Sequence, residues 1–265
     1  MRLETLVENT TCCGAATAHG LALYLETPSH KMLFDLGPDD TLFINAEAKG
    51  IDLAAVDTVI ISHGHYDHGG ALEKFLSVNS HAKVYIQRGA FLPHFRVMNG
   101  EWKYNGIDRS FAEHPQIVLL DGDAVIDEEI SLYTVVGQTK NISEANNVLY
   151  EVDAPDRFVH EQSLILKDGD KTALIMGCGH TGIINILEKT ADHRPDICIG
   201  GYHLMNPSTG KCVRTELLDA VAKKLSEYPD TLFYTCHCTG QEAYRYLAER
   251  LSNMRYLACG DSLQL

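Results

Sequence analysis

SHGHYDHGG, residues 62–70, sets three histidines and one aspartate (His63, His65, Asp67 and His68) into six consecutive positions. It follows VDTVIIS, residues 56–62, a largely apolar run suited to a strand buried on both faces. A loop at the end of such a strand delivers its side chains to one rim of an α/β protein. If side chains alternate through the loop, His63, His65 and Asp67 point one way. Neutral imidazole and carboxylate together suit Zn, Fe or Mn, and a catalytic site leaves a position open where a structural site closes its shell. His63 and His65 can hold one ion while Asp67 and His68 hold a second, because adjacent residues project differently. Two such ions would share a hydroxide whose pKa is lowered toward neutrality.

Working outward, three more apolar runs stop at a histidine: ALIMG before Cys178 and His180, ICIGG before His203, and LFYT before His237. Four separated segments therefore deliver imidazoles to strand ends, where ligand sites of layered α/β proteins form. Residues 3–7, 21–26 and 31–35 read as strands, and Asp39 or Asp40 caps a helix that runs to Ala48 and stops at Gly50. Residues 70–78 read as a helix and 82–87 as a strand, after which 88–115 reads as a long irregular insert near the mouth of the site. In the second half, 163–167 and 172–176 form a hairpin across Asp168-Gly169-Asp170, with helices over 182–189, 215–228 and 241–251. Short strands fall at 197–199, 231–235 and, last, 254–258. The expected fold class is α/β, with stacked sheets between helical layers in one domain over residues 1–265.

The 265 residues are 45% hydrophobic and 22% charged, enough for a large core. Against 36 acidic residues stand 22 basic ones, and the formal charge of −14 repels phosphate backbones and anionic membrane surfaces. The opening MRLETLVENT has neither the basic start nor the apolar stretch of an export signal, and no run approaches the roughly 18 apolar residues of a membrane span. The expectation is a soluble cytoplasmic protein with a small-molecule substrate and with neither nucleic acid nor membrane as partner; a homodimer is compatible with the sequence. The eight cysteines include no CxxC pair: Cys12 and Cys13 adjoin, and Cys236 and Cys238 flank His237. Reduced, buried or half-buried thiols are the expectation for these four.

SHGHYDHGG resembles the HxHxDH signature of the metallo-β-lactamase fold, and LFDLG around Asp35 resembles the aspartate motif that precedes it. The segments AHGLALYLE, EQSLILK, GCGHTGI, GGYHL and CHCTG are similar to a dihydropteroate-synthase-like subgroup, that of the 7,8-dihydropterin-6-methyl-4-(β-D-ribofuranosyl)aminobenzene 5′-phosphate synthases. The resemblance covers nearly the whole chain. It implies a four-layer αββα sandwich with two divalent metal ions, zinc first and iron or manganese next, at one edge of the sheets. It places His63, His65 and His180 on one ion and Asp67, His68 and His237 on the other. Where the family has a bridging aspartate this chain has Cys178, which either bridges, lies nearby without ligating, or leaves His180 to serve alone from that loop.

Asp35 is positioned to accept a hydrogen bond from a ligating histidine and fix its tautomer. His203, beside two glycines, reads as substrate-binding or as the group that protonates a leaving group or steadies an oxyanion. His19 reads as a substrate contact at the mouth. His94, His114 and His160 read as surface histidines, with substrate contact from the inserts as the alternative. Together these give a binuclear metal-dependent hydrolase of a small ester, lactone, amide or phosphorylated molecule, with Asp67 both ligating and orienting the nucleophile. The alternatives are a di-iron redox protein, a non-catalytic small-molecule sensor on the same scaffold and, as a minor option, pterin-related synthase chemistry.

Overall fold

The structure, a computed structural model, describes residues 1–206 and 209–264. Two seven-stranded sheets stack face to face. The first runs Ser262–Gln264, Arg2–Val7, Ala22–Glu26, Lys31–Phe34, Thr58–Ile60, Lys83–Gln87 and Ile117–Leu120. The second runs Met254–Tyr256, Leu232–Thr235, Ile197–Gly200, Lys171–Ile175, Gln162–Asp168, Ile130–Thr134 and Ala124–Val125. Leu23, Leu25, Met32, Phe34 and Ile60 of the first sheet meet Leu132, Leu164, Ile175, Ile197 and Ile199 of the second in the central core.

The alternate side chains of the same strands face outward and are buried too. Tyr24, Leu33, Val59 and Val84 pack with Leu42 and Ala46 of helix Thr41–Ala48 and Phe75 of helix Leu72–Val78. Leu174, Cys198 and Phe233 pack under helices Ile183–Lys189, Thr215–Leu225 and Gln241–Ala248. Burial on both faces is why these strands read as unbroken apolar runs rather than as alternating ones. The result is the αββα sandwich that the resemblance implied.

Parallel pairing puts the functional loops on one rim. Lys31–Phe34 runs parallel to Thr58–Ile60, so Asp35 and Ser62 leave their strands side by side. Lys171–Ile175, Ile197–Gly200 and Leu232–Thr235 are also mutually parallel, so the loops carrying His180, His203 and His237 leave the same end of the second sheet.

Several local expectations are corrected. Residues 88–115 are not irregular: His94–Met98 and Glu101–Tyr104 form a hairpin that pairs with Leu149–Glu151 and Ala154–Pro155 in a third, four-stranded sheet. Its turn is Asn99-Gly100, both at positive φ (52° and 82°), the pair of residues that two-residue hairpins favour. Met254–Tyr256 is not the last strand, because the chain crosses back and Ser262–Gln264 pairs with Arg2–Val7 in the other sheet. Helix Thr41–Ala48 has Asp40 at its cap position, but it is the Asp39 side chain that accepts from the Thr41 N–H at 2.9 Å. Cys12 and Cys13 are exposed, whereas Cys236 and Cys238 are buried as expected.

Candidate metal centre

The SHGHYDHGG loop is buried rather than solvated: His63 and His68 have no exposure, and His65 and Asp67 are nearly closed off. Gly64 permits this packing, since a Cβ there would stand 2.5 Å from the Ala90 carbonyl oxygen and 2.7 Å from His94 Nε2. The alternation expected of the loop stops at Tyr66, where a helical turn Tyr66–Gly69 begins. Asp67 therefore leaves the direction of His63 and His65 and joins His68. This corrects the strand-like reading of the loop and produces two separate groups.

In the first group, His63, His65 and His180 present ligand atoms within 4.8 Å of one another. Ser62 Oγ donates to Asp35 Oδ2 at 2.8 Å, so it accepts from His63 Nδ1 at 2.8 Å, leaving His63 Nε2 bare. That atom faces His65 Nδ1 at 3.1 Å. Two imidazole nitrogens bound to one tetrahedral zinc at about 2.0–2.1 Å stand about 3.3 Å apart, so this spacing fits a shared cation. His180 donates from Nδ1 to Asn146 Oδ1 at 2.8 Å, and its Nε2 is buried with no hydrogen-bond partner. Burial, reinforced by neighbouring histidines, pushes His63 and His180 well below the ordinary imidazole range; burial does the same to His65 against the pull of Asp67. All three rings are thus neutral ligands in waiting.

The second group is Asp67, His68 and His237. His68 donates from Nδ1 to Asp35 Oδ2 at 2.6 Å and aims Nε2 at His237 Nε2, 3.3 Å away. His237 donates from Nδ1 to Asn9 Oδ1 at 2.8 Å, while its Nε2 lies 3.4 Å from Asp67 Oδ2. Burial lowers His68, but Asp35 and Asp67 outweigh it and raise the ring to about 9. Burial likewise opposes the Asp67 charge, and His68 and His237 override it to hold that carboxyl far below the usual range. Asp35 thus meets the His68 ring directly and the His63 ring through Ser62.

Cys178 lies between the groups. Its Sγ is 3.2 Å from His68 Nε2, and it clusters with His63 and His68, with His180 and His203, and with His237 and Cys238. Burial pushes its thiol well up from the ordinary value. His203 packs its ring 4.2 Å from that of His180, and both of its nitrogens are buried without a hydrogen-bond partner. His19 stands at the mouth, 42% exposed, with Nε2 3.5 Å from Asp67 Oδ2. Asp35, His63, His65, Asp67, His68, Cys178, His180, His203 and His237 are therefore together at this rim, with His19 at its mouth.

Buried carboxyl groups pin the loops themselves. Glu8 accepts from the His237 N–H at 2.7 Å, Glu161 from the His180 and Thr181 N–H groups at 2.7 and 2.8 Å, and Asp35 from the Ser62 N–H at 2.7 Å. Asp35, His203 and His237 sit at positive φ (60°, 47° and 49°), backbone strain of the kind that functional sites hold in place. Sequence reasoning missed Glu8, Asn9, Ser62, Asn146 and Glu161, because nothing about an isolated Asn, Ser or Glu marks it as a partner of a distant histidine.

His94 and His160 are fully buried, which corrects their reading as surface histidines. They straddle Asp156 Oδ2, 3.2 Å from His94 Nδ1 and 3.1 Å from His160 Nε2. With Glu151 they form a group whose atoms are close enough for an ion. The Gly64 N–H, however, donates to His160 Nδ1 at 3.0 Å, so His160 Nε2 carries the proton and donates to Asp156. This group is a hydrogen-bonded brace behind the loop. His114 lies elsewhere, against Phe111.

A space of about 50 Å³ over the centre is lined by His19, Tyr66, Arg96, Asn105 and the ligand groups. The small sheet is tied to the loop beneath it: the Tyr66 N–H donates to the Asn105 carbonyl at 2.9 Å, and the Ile107 N–H to that of Gly64 at 3.2 Å. Phe158 stacks on His180 with ring centroids 4.4 Å apart and also walls a neighbouring cavity of about 740 Å³.

A four-layer sandwich with an HxHxDH loop and strand-end histidines at one rim is a metallo-β-lactamase arrangement, and residues 18–143 match the family model of the Metallo-beta-lactamase superfamily. The chain has the metallo-β-lactamase fold. It is 27% identical to MJ0448, an uncharacterized protein of Methanocaldococcus jannaschii, across 96% of both chains. It is 22% identical to the 7,8-dihydropterin-6-methyl-4-(beta-D-ribofuranosyl)-aminobenzene-5′-phosphate synthase of the same organism, over 87% of this chain and 84% of that one. Among solved structures, Tm1679, a metal-dependent hydrolase of the β-lactamase superfamily, matches with a TM-score of 0.83 at 24% identity, covering 100% of this chain and 99% of that one. The isothiocyanate hydrolase from Delia radicum gut bacteria matches at 0.62 and 16%, with the same coverage.

Proposed function

We propose that this chain is a one-domain, binuclear metal-dependent hydrolase of a small organic substrate, an ester, lactone, amide or phosphorylated molecule. One observation carries the reading: His63, His68, His180 and His237 each turn Nδ1 toward a hydrogen-bonding oxygen, so four Nε2 atoms converge, with His65 Nδ1 and Asp67 Oδ2, on one buried spot. That donor set fits two divalent cations, zinc foremost with iron or manganese as alternatives. When bound, such a pair supplies a nucleophile at neutral pH and neutralises charge developing on the attacked group.

The chain's own residues divide the remaining tasks. His63, His65 and His180 hold one ion, and Asp67, His68 and His237 the other, with Cys178 between them. Asp67, whose Oδ2 also faces His19, orients the nucleophile. His203, buried beside His180 with both nitrogens unpartnered, is the group to steady an oxyanion or hand a proton to the leaving atom. Asp35, Asn9 and Asn146 fix the tautomers. The centre's small space admits the reacting group, while the body of the substrate lies outward along His19 and Tyr66.

The formal charge of −14 supports a small-molecule partner rather than nucleic acid or a membrane. Among the described residues no helix is long and apolar enough to cross a membrane, and all eight cysteines are free, which supports a reducing, cytoplasmic setting.

The test is metal analysis of the purified protein with anomalous diffraction at two absorption edges, followed by a panel of phosphodiesters, lactones and thioesters. Two ions on the named atoms with turnover of one ester class is the expected result. Iron with consumption of oxygen or peroxide would replace this reading with a redox protein. Tight binding of a small molecule without turnover would replace it with a sensor.

A further inference from the structure

The third sheet has two unlike faces. Its register sets Arg96 opposite Lys103 on one side and Leu149 on the other, so these three share a face. Arg96 and Leu149 line the space over the centre, beside Tyr66 and Asn105. Phe95, Trp102, Tyr104 and Tyr150 make the opposite face, with ring centroids 5.0 to 5.7 Å apart in their contacts.

Two cations directly opposite each other in a strand pair repel. Several basic side chains of this acidic chain find carboxylates, among them Lys49 with Glu4, Lys74 with Asp40, Arg88 with Asp121, Lys189 with Asp123 and Lys224 with Glu227, and the unpaired ones other than Arg96 lie away from the space over the centre. Among the described residues, Arg96 and Lys103 enter no ion pair. An arginine kept without a carboxylate at the mouth of a site, with a second cation facing it, is set for an anion that comes from outside.

We propose that Arg96 recognises an oxyanion, phosphoryl or carboxyl, on the part of the substrate that stays outside the centre, and that Lys103 strengthens the local positive field. The planar guanidinium fork matches two oxygens of either group. The proposal rests on the hydrolase reading of the adjacent centre, and it narrows the substrates to small organic anions.

Titration calorimetry of phenylphosphonate, benzoate and neutral benzamide into the metal-loaded protein tests it, with metal content measured alongside. Arg96→Gln weakens binding of the favoured anion by about tenfold or more, Arg96→Lys by less, and Lys103→Gln by about two- to fivefold, with metal content and any benzamide binding unchanged. Whichever anion shows the larger Arg96 dependence identifies the group. Equal anion affinity in wild type and Arg96→Gln, or no binding of either anion to the wild-type protein, overturns the proposal. The readout is binding, so a protein that holds these anions through Arg96 but turns nothing over would defeat the hydrolase reading alone.

Discussion

Around His63, His65 and His180 the chain supplies three imidazoles held neutral by burial; around Asp67, His68 and His237 it supplies a carboxylate and an imidazole held charged by Asp35. The first group is ready for a cation without losing a proton. The second would have to release one for His68 to serve as the proposed ligand. The same residue type at similar depth thus serves in opposite charge states, and what separates the two is whether a carboxyl group touches the ring. Burial alone does not set the state of a histidine; its partner does.

The largest effect expected from this contrast follows removal of one ligand from either half. His65→Ala or Asp67→Ala lowers turnover by about a thousandfold or more and removes metal at the same time, as measured by steady-state kinetics beside elemental analysis. Full activity in either variant would break the two-group assignment.

Next come the two asparagines that play matching parts. Asn146→Ala frees the His180 ring and weakens the first ion by about 10- to 100-fold, whereas Asn9→Ala frees His237 and weakens the second by a similar factor. Chelator competition on each variant reads this directly; a variant that loosens both ions equally would show that the halves are not separable.

A smaller effect separates the halves by pH. In the ion-free chain His68 keeps its proton up to about pH 9. Affinity at the second half therefore rises about tenfold per pH unit as pH approaches that value, while the first half, with its low ring values, changes little between about pH 6 and 8. Metal titrations across that range would show two slopes, and identical slopes would erase the distinction. Smallest of all, His114→Ala changes activity by less than about twofold, because that ring belongs to neither group.

The legibility of this chain was uneven for physical reasons. SHGHYDHGG crowds chemistry into a few residues, and apolar runs that end in histidine follow a general rule about strand ends, so ligand candidates and layer order could be read directly. The direction of Asp67 could not be, because a helical turn at Tyr66 replaced the assumed alternation. Asn9 meets His237 across 228 positions of chain, and Asn146 meets His180 across 34, distances over which a single sequence carries no pairing signal. His94 looked like a surface residue for the same reason, since its partner Asp156 lies 62 positions away. The third sheet is a different case: Asn99-Gly100 was a usable turn signal, and only the polar character of the flanking residues hid it.

The strand Ser262–Gln264 covers the outer side of Arg2–Val7, and Glu4 meets Ser262 across 258 positions. During synthesis that covering strand leaves the ribosome long after the edge it protects. Until then Arg2–Val7 presents unpaired backbone groups, the kind of surface that recruits strands from other chains. Products cut short before residue 262 should aggregate from that edge, which would make Ser262–Gln264 a safeguard against misassembly as well as a part of the finished sheet.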